Sequence, residues 1–168
     1  MNASMNKSSY PLPAHSSGFT LIELMVTVVV LAIITTIAAP NISSQLANQR
    51  VKSTTATLSN ALKEAKIESV IRRQPITVSF ANDSSDTGTI NIANTANISS
   101  YSYDAKSTIE AINTIDESVV TTITFEPSKR VDAGLTYTIC DNNMTVSPRQ
   151  IMVSAVAIIS SRLGGTCL

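Results

Sequence analysis

The 168-residue sequence is poor in the side chains that most enzyme chemistry needs. It holds one histidine, His15, two cysteines, Cys140 and Cys167, and no tryptophan. A lone imidazole near the N-terminus supplies neither a zinc cluster nor a base beside a nucleophile in the body of the chain. Only five glycines are present, and none lies between Phe19 and Arg73. None of them forms a phosphate-cradling loop. Charge is equally scarce: 14% of residues are charged, with Lys plus Arg and Asp plus Glu both at 12. Balanced charge gives no general field toward nucleic acid or anionic lipid. These shortages argue against an enzyme, a metal centre or any other cofactor, and DNA is not an expected partner.

Apolar side chains are abundant, at 43%, and unevenly placed. Residues 19–39 form a block whose one charged member is Glu23. Twenty-one helical residues cover about 31 Å, the thickness of a bilayer's hydrocarbon core. A membrane-spanning helix is therefore expected. A secretory signal peptide fits poorly, because the apolar core is too long, contains an acid and runs into Pro40. A plain anchor fits everything except Glu23. A carboxylate at membrane depth is costly unless it finds a partner, so Glu23 is a functional candidate.

The run Gly18-Phe19-Thr20-Leu21-Ile22-Glu23 resembles the start of the type IV pilin and type II secretion pseudopilin superfamily. The resemblance implies that an inner-membrane prepilin peptidase cuts between Gly18 and Phe19 on the cytoplasmic side. It also implies N-methylation of Phe19 and an assembly role for Glu23, the fifth mature residue. The spacing suits that role. Cleavage leaves an ammonium on Phe19, and Glu23 lies one helical turn further on. In a filament, the Glu23 carboxylate of one subunit can neutralise the Phe19 ammonium of another, so that two costly charges become tolerable as a pair. The leader, residues 1–18, is polar and carries only Lys7 and His15 as basic residues, so the cleavage motif, more than charge, sets the orientation.

Beyond Pro40 the pattern turns amphipathic, with Ile42, Leu46, Val51, Leu58, Leu62 and Ala65 near a helical stripe. One helix of about 80 Å through residue 73 is expected, bent near Pro40, where proline removes a backbone hydrogen bond. From Pro75 the period drops to two. Ile76, Val78 and Phe80 alternate with polar residues, as do Ile90 with Ile92 and Tyr101 with Tyr103. Further strands are expected over residues 119–125, 135–140 and 151–159, with a turn at Glu126-Pro127-Ser128-Lys129. Residues 82–118 contain 17 Asn, Ser or Thr among 37, which predicts long loops with short strands. The expected organisation is a leader (1–18), a membrane half-helix (19–39), an amphipathic half-helix (40–73) and a periplasmic β-rich domain (74–168). The fold class is α+β, one long N-terminal helix packed on an antiparallel sheet.

A second resemblance narrows the family. The helix-to-strand junction from Ala61 to Val78, and the segments Ile123-Thr124-Phe125-Glu126-Pro127, Tyr137-Thr138-Ile139-Cys140 and Arg149-Gln150-Ile151-Met152-Val153-Ser154, are similar to the GspH/FimT/FimU group of pseudopilins and minor pilins. It implies a minor subunit of a type IV pilus, in its priming or tip complex, with other pilin subunits, the prepilin peptidase and the inner membrane as partners. The alternatives are a GspH-like pseudopilin of type II secretion and a FimT-like DNA receptor. A domain outside the cytoplasm lets disulfides persist, so Cys140 and Cys167 are expected to pair. For DNA, the C-terminal region offers only Arg162, where FimT proteins implicated in uptake carry an arginine-rich motif. The doublets Arg72-Arg73 and Lys129-Arg130 read as a helix end and a turn. Asn82-Asp83-Ser84-Ser85-Asp86 does not match a calcium-loop spacing.

Overall fold

The computed structural model describes residues 18–83, 87–142 and 146–167, except for the side chains of residues 38–41. The chain divides into two compact units, Met1–Ala39 and Pro40–Leu168. One helix, α1 (Leu21–Arg72, 52 residues), supplies secondary structure to both. It begins two residues later than the apolar block because Thr20 caps it, and it ends where Arg73 turns left-handed at φ 55°. There the Gln74 amide donates back to the Ser69 carbonyl at 3.3 Å, closing the last turn before Pro75. The bend expected near Pro40 falls among side chains outside the described set. Among the described residues, no single helix is long and apolar enough to cross a membrane. The segments Leu21–Ile37 and Ile42–Arg72 together pass on length and composition.

In the second unit α1 buries Ala47, Val51, Leu58, Ala61, Leu62 and Ala65. Ile42 and Leu46, expected on the same stripe, are instead exposed, because burial along the helix starts only at Ala47. Two antiparallel sheets complete the core. The first is ordered β3-β2-β1-β6, from β1 (Ile76–Ala81), β2 (Thr87–Ala93), β3 (Asn97–Asp104) and β6 (Thr122–Phe125). The second is ordered β5-β4-β7-β8-β9, from β4 (Ser107–Asn113), β5 (Val119–Val120), β7 (Leu135–Asp141), β8 (Arg149–Val153) and β9 (Ile159–Leu163). Alternation puts Ile76, Val78 and Phe80 of β1 inward, with Tyr137 and Ile139 of β7. Phe80 and Tyr137 meet edge to face, with centroids 6.1 Å apart.

Three strand expectations shift. Residues 119–125 split at Thr121, so β5 joins one sheet and β6 the other. Residues 151–159 break into β8 and β9 around a turn closed by Ala157 donating to the Ser154 carbonyl at 2.7 Å. The polar stretch yields three full strands rather than loops with short ones; in β4, Ile109 and Ala111 are buried between exposed or half-exposed Thr108 and Glu110. The turn at 126–129 forms as expected, with the Lys129 amide donating to the Glu126 carbonyl at 2.9 Å.

Candidate functional site

The N-terminal motif lies at the mouth of α1. Gly18 and Phe19 precede the helix and are exposed, and a Cβ placed on Gly18 would meet nothing within 4 Å. Nothing among the described residues therefore shields the Gly18–Phe19 bond. Thr20 is the helix cap. Its hydroxyl accepts from the Glu23 amide at 3.2 Å, and its carbonyl accepts from the Leu24 amide at 3.2 Å. Glu23 thereby falls in the first turn, where a negative side chain opposes the positive end of the helix dipole. The Glu23 carboxylate has no partner among the described residues. Thr20 was not singled out from the sequence, although Thr-Leu-Ile-Glu has the spacing of a capping box.

Residues 21–37 expose an almost unbroken apolar surface, from Leu21, Ile22 and Leu24 to Ile34 and Ile37. Its threonines do not contradict that character. Thr27, Thr35 and Thr36 each donate to a carbonyl three residues back, at 2.8 to 2.9 Å. Their hydroxyls are satisfied within the helix, as an apolar surrounding requires.

In the second unit, a bidentate ion pair ties helix to sheet. Arg50 donates from Nε to Asp141 Oδ2 at 2.7 Å and from Nη2 to Oδ1 at 3.0 Å. The Asp141 side chain is fully buried and that of Arg50 is 15% exposed. The bonded carboxylate raises the Arg50 pKa, so the guanidinium stays charged. Sequence reading missed this pair, whose members stand 91 positions apart. Next to Asp141, Cys140 is disulfide-bonded to Cys167. The tail that carries Cys167 packs closely on the sheet. A Cβ on Gly165, whose φ of +111° already favours glycine, would come within 2.9 Å of Thr138 and 3.0 Å of Gln150.

Arg162 lies on β9, where its Nε and Nη2 donate to Gln150 Oε1 at 3.0 and 2.8 Å. Arg149 does not join it. Register places Arg162 opposite Gln150, so Arg149, one residue earlier, faces the other side of the sheet. Arg72 is held on its own helix by Glu68 at 2.5 Å. The structure thus does not gather these arginines into one patch. Of the acidic loop, Asn82 accepts from the Tyr103 hydroxyl and the Ile109 amide at 2.7 and 2.9 Å. Residues 84–86 lie outside the described set, as does the leader through residue 17 with Lys7 and His15. No group of three metal-ligating side chains occurs among the described residues.

Two family models match the sequence. The prokaryotic N-terminal methylation motif covers residues 13–39, and the type II transport protein GspH covers residues 54–157. No curated protein matches. Two crystal forms of the type IV minor pilin FimU of Pseudomonas aeruginosa strain PAO1 have a similar structure. One has a TM-score of 0.57 at 19% identity, covering 70% of this chain and 99% of that one. The other has a TM-score of 0.59 at 19% identity, covering 71% and 96%. At that identity the likeness is one of fold: a long N-terminal helix followed by antiparallel sheets.

Proposed function

The chain belongs to the type II transport protein GspH family, and from that premise we propose that it is a prepilin, cleaved between Gly18 and Phe19 and built into a type IV pilus as a minor subunit. The observation that carries this reading is the cap geometry. An exposed Gly18–Phe19 bond precedes a helix whose first turn holds a carboxylate and whose next turns hold only apolar or self-satisfied side chains. In this reading residues 1–18 are removed by the prepilin peptidase at the inner membrane. The Phe19 amine is methylated, and residues 19–39 hold the subunit in the bilayer until assembly. The domain from residue 74 onward lies in the periplasm, joined to the membrane half by the helix over residues 40–73. Partners are other pilin subunits, and the role is structural rather than catalytic.

Assembly follows from electrostatics. A carboxylate without a partner among the described residues, set in an apolar surface, gains most from a neighbour's ammonium. Glu23 supplies the carboxylate and the new N-terminus at Phe19 the cation. Glu23→Ala is expected to leave membrane insertion intact and to cut the subunit's amount in sheared filaments at least about tenfold. Full incorporation of the variant would sink the pairing.

A second reading, a pseudopilin of the type II secretion filament, is favoured by the family model itself, which matches residues 54–157. Loss of secreted enzymes instead of loss of pili on deletion would select it. A DNA receptor has less support, because Arg162 is engaged by Gln150 and stands apart from Arg149.

A further inference from the structure

An edge strand presents a row of unpaired amides and carbonyls, and a folded chain ordinarily guards it. Here the sheet edges are β3, β6, β5 and β9. β5 is only two residues long. β6 is four residues long, and Phe125 at its end bridges to Val131. β3 is tied to α1, whose Glu64 accepts from Ser99 Oγ at 2.6 Å and from the Tyr101 hydroxyl. A register shift between Ile92 and Ala93 also disturbs its pairing. β9 has none of these devices. It pairs with β8 over its whole length without a register shift and contains no proline. Its one charged side chain, Arg162, folds back onto Gln150 of β8 and leaves the edge open.

The phase of the hydrogen bonds identifies the free groups. The Gly164 amide donates to the Pro148 carbonyl and the Ser154 amide to the Ile158 carbonyl, both at 3.0 Å. Facing pairs in an antiparallel ladder alternate between bonded and non-bonded. Residues 158, 160, 162 and 164 therefore bond toward β8, and Ile159, Ser161 and Leu163 turn their amides and carbonyls outward. By register, the side chains of these three share the face of Ile151 and Val153, the buried side of the sheet. Ile159 is partly covered there, whereas Leu163 is 66% exposed. The inner face thus runs on past the last strand, and no described residue is laid beside it as a further strand.

The strand's own sequence selects its partner. Ile159-Ser160-Ser161-Arg162-Leu163 has apolar ends and a polar centre, so its pattern is nearly the same in both directions. Laid antiparallel on a second β9 about a two-fold axis at Ser161, Ile159 faces Leu163 of the other copy and Ser160 faces Arg162. Apolar meets apolar, and the two arginines do not oppose each other. Three facing pairs exchange two backbone bonds each. We propose that β9 is a self-pairing edge that joins two copies of this chain into one continuous antiparallel sheet, with Ser161 on the axis. The contact lies within the unit Pro40–Leu168 and does not depend on the filament reading.

The test is disulfide trapping on the full chain in detergent, with the Cys140–Cys167 link left intact. Bonded facing residues have Cα atoms about 5.5 Å apart, within reach of a disulfide, so Ser161→Cys should link to the same residue of a second copy. Ser160→Cys and Leu163→Cys stand off the axis and should link at least about tenfold less. A peptide joined to its own duplicate is interchain by definition, and mass spectrometry of unreduced peptides reads it directly. Sedimentation across a concentration series gives the second readout. Ser161→Pro removes an outward amide that β8 does not use, and proline is tolerated on an edge strand. It should weaken dimer formation at least about tenfold and leave the urea midpoint unchanged. No self-link at Ser161→Cys, equal linking at all three positions, a dimer that survives Ser161→Pro, or a urea midpoint lowered by that change would each overturn the proposal.

Discussion

The two parts of α1 obey opposite rules. Over residues 21–37 every side chain is exposed and nearly all are apolar, so the helix is satisfied within itself and its surface waits for surroundings the described residues do not supply. From Ala47 onward the same helix buries a stripe against two sheets and is held by partners far away in sequence. The first part is determined by local pattern. The second is determined by contacts, and its stability belongs to the domain as a whole. Substitutions should therefore separate cleanly into those that change folding and those that change only association.

The largest expected effect on folding comes from Asp141→Ala. It takes from the Arg50 guanidinium, 15% exposed, its hydrogen-bonded carboxylate and leaves Asp104 at 3.9 Å. Removing one member of a buried pair costs about 3 to 5 kcal/mol, read as a lowered urea midpoint of the full chain. The double change Arg50→Met with Asp141→Leu should recover most of that loss. A single change with no effect would show that the pair does not hold helix to sheet.

Next comes the disulfide. Cys140 and Cys167 close a loop of 27 positions, worth about 3 to 4 kcal/mol in the chain-entropy model and often less when measured. Cys140→Ser with Cys167→Ser is expected to lower stability by up to that amount, and mass spectrometry of unreduced peptides should show the link in the parent.

Alkaline pH gives a smaller effect. Burial pushes the Tyr103 phenol up to about 12 from its ordinary 10.0. Burial also raises Tyr137. The folded state thus holds these protons more tightly than the unfolded chain. Their contribution is complete below pH 10 and is lost as pH rises from about 10 toward 12. Stability should decline over that window, less steeply in Tyr103→Phe. The smallest expected effect is Glu23→Ala, which should leave the unfolding midpoint of the globular unit unchanged. A drop there would break the division between the two regions.

Much of this contrast was legible in the sequence. The absence of glycine from residue 19 to 73 and the change of period at Pro75 marked the helix and its end, and Ile76, Val78 and Phe80 marked β1. What stayed hidden depended on distant partners. Ile109 and Ala111 alternate in β4, but the surrounding Ser, Thr and Asn read as loop until β7 pairs with them. Nothing local at Thr121 announces that Val119–Val120 and Thr122–Phe125 serve different sheets. Arg50 and Asp141 looked like ordinary surface charges, because only the fold brings them together. Local pattern thus sufficed for the helix over residues 21–37 and gave half the account of the second unit.

The central claim is that the mature chain starts at Phe19. Intact-mass measurement of the protein extracted from membranes of cells with active prepilin peptidase tests it directly. The expected mass is that of residues 19–168 with the Cys140–Cys167 disulfide and one added methyl group, and fragmentation should place that methyl on the Phe19 amine. A mass corresponding to a chain that still begins at Met1, or that begins at any residue other than Phe19, would contradict the account.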